Sequence, residues 1–236
     1  MSLSRAPIAI ALDTNEIDTA KQWVALTSPH ISTMKLGLEF FARFGVSGVA
    51  DVMKHANGAR LFLDLKLHDI PNTVAGAARS VAELAPAYLT VHASGGAAMI
   101  SAAAKVLPDT RITAVTVLTS LAPGDLVEMG FPSDVSLLVK SLATSAVNAG
   151  ARAIVCSPHE VRMLREFLPR EIHLLVPGVR PPGSAQDDQG RVATPAEALS
   201  YGADLVVIGR PITSLWNPHS PQLMSTGLAE VIAGLK

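Results

Sequence analysis

The sequence predicts a single (β/α)8 barrel, and three observations lead there. Eight short apolar runs are separated by stretches with helical spacing. Several of the runs are apolar on both faces, as strands of a parallel sheet must be when helices cover both sides. The 236 residues hold that number of strand–helix units as one closed domain, residues 1–236, with no linker, charge block, low-complexity tract or clear repeat. The competing arrangement, an open doubly wound sheet, calls for a glycine-rich dinucleotide turn after the first strand. Asp13-Thr14-Asn15 stands there instead.

Taken in order, the strands are expected at Ile8–Leu12, Ile31–Leu36, Arg60–Leu65, Tyr88–His92, Ile112–Leu118, Ala153–Cys156, Ile172–Val176 and Leu205–Ile208. Helical spacing marks Glu16–Leu26, where Ile17, Ala20, Lys21 and Val24 recur at helical intervals. Thr73–Leu84 is rich in alanine, a strong helix former. Asp134–Ala149 and Pro158–Leu168 have the same periodicity. Pro195–Tyr201 opens on a proline, which the first turn of a helix tolerates. A last helix covers about Ser220–Leu235.

Composition narrows the function. A formal net charge of −1 gives no basis for nucleic-acid binding. Cys156, the only cysteine, excludes an internal disulfide and a cysteine metal cluster, and its apolar neighbours suggest a buried, inert thiol. The short polar stretch Met1–Pro7 lacks the apolar region of a signal peptide, and no run of about 18 apolar residues suggests a membrane span. A soluble protein of the reducing cytoplasm is the expectation.

In such a barrel, catalytic groups gather where strands end and βα loops begin. Polar residues recur at those places: Asp13, Lys35, the set Asp64, Lys66 and Asp69, His92, Thr119 with Ser120, Arg180, and Gly209-Arg210. Each alone has a plainer explanation. A lone aspartate before a helix is often an N-cap, and a lone lysine at a strand end is usually solvated. The Asp64–Lys66 pair is harder to explain that way. Strand alternation puts both on one face, with Leu63, Leu65 and Leu67 on the other, and Pro71 ends the strand nearby. A buried ion pair is expensive as a device for stability alone, so it points to chemistry. Lys66 between two carboxylates also argues against a divalent metal, because the ammonium already supplies the positive charge. His92 and Glu39 suit structural roles.

Two features suggest a phosphate site. The run Val206-Val207-Ile208 enters a Gly209-Arg210 turn, where backbone N–H groups, a following helix and a guanidinium can meet an anion. The loop Pro177–Gly190 is long and rich in Pro and Gly, and it carries Arg180 and Gln189. A lid that closes on substrate fits it, and so does an ordinary mobile surface loop.

Together these residues resemble the orotidine 5′-phosphate decarboxylase family. The match covers Asp64-Leu65-Lys66-Leu67-His68-Asp69-Ile70-Pro71-Asn72-Thr73, Lys35-Leu36-Gly37-Leu38-Glu39, Pro177-Gly178-Val179-Arg180, Asp188-Gln189-Gly190-Arg191 and Val207-Ile208-Gly209-Arg210-Pro211-Ile212-Thr213. The resemblance extends in order over nearly the whole chain. It implies decarboxylation of orotidine 5′-phosphate to uridine 5′-phosphate in pyrimidine synthesis, with no cofactor, by a homodimer. By the same resemblance Lys66, Asp64, Asp69 and Lys35 form the catalytic set. Asp13 and Lys35 hold ribose hydroxyls, Thr119 and Ser120 lie by the pyrimidine, and Arg180, Gln189, Gly209 and Arg210 hold the phosphate. Asp69, Ile70 and Thr73 complete the site of the partner subunit. Asp-x-Lys-x-x-Asp also occurs in magnesium-dependent sugar-phosphate decarboxylases and aldolases of related barrels, which is the first alternative. A non-catalytic phosphoribosyl-ligand sensor is the second, but it has no need of Lys66 between carboxylates.

Overall fold

A computed structural model describes residues 5–181 and 193–235. Eight parallel strands close into a barrel in sequence order: β1 (Ala6–Ala11), β2 (Ile31–Gly37), β3 (Arg60–Leu67), β4 (Tyr88–His92), β5 (Arg111–Val115), β6 (Ala153–Val155), β7 (His173–Val176) and β8 (Leu205–Ile208). Register pairs such as Ala9↔Val207 join β1 to β8 and leave no open edge. The helices among the described residues are α1 (Ile17–Thr27), α2 (Leu38–Met53), α3 (Pro71–Ser80), α4 (Ala97–Val106), α5 (Pro123–Glu128), α6 (Val135–Asn148), α7 (Val161–Phe167), α8 (Pro195–Ser200), α9 (Arg210–Thr213) and α10 (Gln222–Ala233).

All eight expected strands are present, with changed ends. β1 begins two residues earlier than the apolar run suggests, and β5 stops at Val115 instead of Leu118. The expected helices are present too, and Asp134 caps α6 by accepting a hydrogen bond from Leu137 N. The sequence reading delimited neither α2 nor α4. α2 is interrupted at Gly45, whose φ of 61° breaks its helical period, and α4 is an alanine-rich segment following a glycine pair.

Strand alternation sorts the core into two layers. Ile8, Ile10, Leu12, Leu36 and Leu63 face outward and are sealed by the helices. Full burial of each such side chain stabilises the fold by about 1.5–3 kcal/mol. Ala9, Phe62, Tyr88, Ala153, Leu175 and Leu205 fill the barrel interior. Phe62 and Tyr88 meet edge-on at 5.8 Å between centroids, so the interior is plugged below the C-terminal rim. The same alternation carries Asp64 one pleat beyond Phe62 on β3, while Lys35 on β2 pairs in register with Phe62.

At the opposite end, Tyr88 Oη lies 2.9 Å from His173 Nδ1, and the guanidinium groups of Arg60 and Arg111 lie over the Tyr88 ring. Among the described residues no helix is long and apolar enough to cross a membrane.

Candidate active site

The C-terminal rim of the barrel opens into a cleft of about 370 Å³. Asp13, Lys35, Asp64, Lys66, Thr119, Arg180, Gly209 and Arg210, all singled out in the sequence, line it. Its apolar wall is formed by Phe62, Val117, Leu118, Val155 and Val207, surfaces suited to a flat ring.

The charged groups form a chain. Lys66 Nζ lies 2.8 Å from both Asp64 oxygens. Lys35 Nζ lies 3.6 Å from Asp64 Oδ2 and 3.2 Å from Asp13 Oδ1. Lys35 is 9% exposed, so its charge is desolvated and held by these two carboxylates. Gly37 permits the arrangement: a Cβ there would stand 3.1 Å from Lys35 Nζ. Burial pushes the Asp64 carboxyl up most strongly. The charges of Lys35 and Lys66, with hydrogen bonds from Lys66 and Thr90, outweigh that push and hold it below its ordinary value. Asp64 is therefore an anion at neutral pH and keeps both lysines in place.

Lys66 reaches Asp64 by a route different from simple alternation. Its φ is +47°, the left-handed region that non-glycine residues seldom occupy. The β3–β4 ladder shifts register there, from Leu63↔Leu89 to Leu67↔Val91. This bulge, and not a regular pleat, aims the ammonium. Leu63 and Leu65 do face the outer core as expected, while Leu67 is only partly buried.

Across the cleft, Gly178 takes a φ of +77°, which turns the chain after β7 and brings Arg180 to the rim. Arg210 opens α9 directly after β8. The helix expected behind Gly209 is a single turn of four residues, so the guanidinium carries most of the positive field. The lining holds four cationic side chains and two anionic ones, which favours an anionic ligand.

Several of the remaining residues lie elsewhere, although Thr119 and Cys156 also line the cleft. Asp69, Ile70 and Thr73 are exposed and do not line this cleft. Asp69 accepts a 2.6 Å hydrogen bond from Ile70 N, and the apolar Ile70 side chain is 66% exposed at the start of α3. Because β5 ends early, Thr119 and Ser120 belong to the loop beyond it; Thr119 lines the cleft and Ser120 is exposed outside it. Gln189 lies outside the described residues. Glu39 is exposed in the first turn of α2, and Cys156, 2% exposed, is a buried thiol whose pKa burial pushes well up. His92 stacks near His68 at 5.3 Å, and burial, then the His68 and Lys66 charges, hold its imidazole below the ordinary value. Among the described residues no group of three His, Cys, Asp or Glu side chains is placed to hold a metal ion.

One residue was not singled out in the sequence. Thr90 on β4 donates to Asp64 Oδ1 at 2.9 Å and accepts from Lys66 N at 2.8 Å. Alternation from Tyr88 through Thr90 to His92 was the available signal.

Comparison with known proteins agrees with this geometry. Residues 6–220 match the profile described as "Orotidine 5'-phosphate decarboxylase / HUMPS family". The chain is 56% identical over 213 residues to an orotidine 5′-phosphate decarboxylase of Thermobifida fusca, covering 90% of this chain and 91% of the relative. It is 50% identical over 230 residues to one of Frankia casuarinae, covering 91% and 84%. A crystal structure of orotidine 5′-phosphate decarboxylase from Lactobacillus acidophilus superposes with a TM-score of 0.78 at 33% identity, covering 97% of this chain and 99% of that one.

Proposed function

The chain belongs to the orotidine 5′-phosphate decarboxylase / HUMPS family, and we propose that it converts orotidine 5′-phosphate to uridine 5′-phosphate and carbon dioxide. The observation that carries this reading is the Lys35–Asp64–Lys66 chain at the cleft floor, facing Arg180 and Arg210. The two arginines receive the phosphate, joined in this reading by Gln189 and the Gly209 turn. Asp13 and Lys35 meet the ribose hydroxyls, and Thr119 and Ser120 lie by the pyrimidine.

Loss of carbon dioxide from C6 leaves an electron pair in the plane of the ring, where the π system cannot spread it. The barrier is electrostatic, and a fixed cation aimed at that carbon lowers it. Lys66 is that cation, held by Asp64, and it then gives its proton to C6. The carbon–carbon bond electrons stay on C6 as carbon dioxide leaves, and the C6–H bond forms from the ammonium. Phosphate binding far from C6 contributes energy for closure and orientation.

In this reading residues 1–236 form one catalytic domain of a cytoplasmic homodimer. Asp69, Ile70 and Thr73 serve the partner's cleft. Their exposure, and the solvent-facing apolar side chain of Ile70, support that assignment. No cofactor is required, because Lys66 supplies the positive charge.

The experiment is to follow the loss of orotidylate ultraviolet absorbance with purified protein, with and without a chelator. Turnover unaffected by the chelator is expected. Strong inhibition reversed by magnesium would favour a sugar-phosphate decarboxylase or aldolase. Binding without turnover would favour a ligand sensor.

A further inference from the structure

We infer that Thr90 is a positioning residue for the decarboxylation, fixing Asp64 and Lys66 relative to each other through one hydroxyl. The inference rests on the reading of Lys66 as the reacting cation.

The geometry is specific. Thr90 is fully buried, opposite the β3 bulge, between the register pairs Leu63↔Leu89 and Leu67↔Val91. The bulge removes Lys66 from the regular ladder, and its N–H turns to Thr90 Oγ1 at 2.8 Å. That bond uses an acceptor lone pair of the hydroxyl. Its single hydrogen is then directed to Asp64 Oδ1 at 2.9 Å. The same oxygen thus holds the backbone of one catalytic residue and the side chain of the other. The left-handed conformation of Lys66 is strained and persists only where neighbours fix it. Thr90 is such a neighbour.

Asp64 is faced by Lys35 from β2, Lys66 from β3 and Thr90 from β4, with His92 one pleat further along β4. Thr90 is the one uncharged donor to this carboxylate among the hydrogen bonds described. Removing its hydroxyl leaves Asp64 Oδ1 to Lys66 Nζ alone and leaves the Lys66 N–H without its acceptor. The ammonium then loses its fixed aim, and misplacement of this kind is costly to catalysis.

The test compares Thr90→Val, which keeps the shape without the hydroxyl, with Thr90→Ser, which keeps the hydroxyl. Thr90→Ala, differing from Thr90→Ser only by that hydroxyl, makes the same comparison if the valine variant folds poorly. Lys66→Ala is measured beside them. Thr90→Val should lower kcat by about tenfold or more while KM stays within about threefold. The acid limb of its kcat/KM profile should move to higher pH, because Asp64 has lost a donor to its charged form. Thr90→Ser should restore both. A valine or alanine variant with normal kcat and an unmoved acid limb overturns the inference, even if its thermal midpoint falls. A serine variant as impaired as the valine or alanine variant also overturns it. Inactive Lys66→Ala beside a normal Thr90→Val confines the failure to Thr90. Turnover retained in Lys66→Ala overturns the reading of Lys66 and the inference with it.

Discussion

In the proposed reading, the single side chain of Arg210 sets what the cleft accepts. The lysines and aspartates of the floor cancel formally, so the excess positive charge rests with Arg180 and Arg210. A charge-assisted hydrogen bond is worth about 1.5–3 kcal/mol. Arg210→Ala should therefore lower kcat/KM for orotidine 5′-phosphate by about 10–100-fold. Activity on the nucleoside lacking phosphate should hardly change. An equal loss on both substrates would place Arg210 in a role other than phosphate binding. At this scale the sequence was a good guide where residue type carries chemistry. Asp13, Lys35, Asp64, Lys66 and Arg210 were recognisable because charges at strand ends need a reason. Thr90 was not, because a threonine within Tyr88–His92 is ordinary strand composition. Its hydrogen bonds depend on a bulge that no glycine announces. Thr119 and Ser120 lie on a loop and not at a strand end, since an apolar run to Leu118 conceals the end of β5 at Val115.

The strands and helices were legible because burial imposes a period. Ile8, Ile10 and Leu12 alternate with Ala9 and Ala11, and large outward with small inward is the pattern of a strand between helices and a filled barrel. The same strands carry titratable groups into half-buried places at both ends of the barrel. On β7, His173 Nδ1 faces Tyr88 Oη, and on β4, His92 lies near Lys66. Burial first, then nearby positive charge, depresses both imidazoles. The unfolded rings titrate near about 6.5 and bind more protons than the folded ones below that. Their contribution to stability is thus full above pH 6.5 and is lost as pH falls through the lower folded values. Urea unfolding between pH 7.5 and 6 should show stability falling with pH. Each ring contributes well under about 1 kcal/mol, because both are only half-buried. His173→Gln should make the slope shallower. A slope that is flat or reversed in the wild type would contradict the account, and an unchanged slope in the variant would remove His173 from it.

For the whole molecule, the segment Asp64–Thr73 divides between the cleft and the exposed surface. Asp64 and Lys66 lie on the cleft floor, while Asp69, Ile70 and Thr73 turn outward at the start of α3. A second copy that receives those outward residues would complete its cleft with them, so catalysis and assembly would depend on one another. Isolated single subunits would then be inactive. The most direct measurement mixes Lys66→Ala and Asp69→Ala proteins, each inactive alone, and follows orotidylate turnover after subunit exchange. One of the two sites in each mixed dimer regains both residues, so an equal mixture should recover about a quarter of wild-type activity. No recovery, with exchange confirmed, would contradict a cleft shared between two copies.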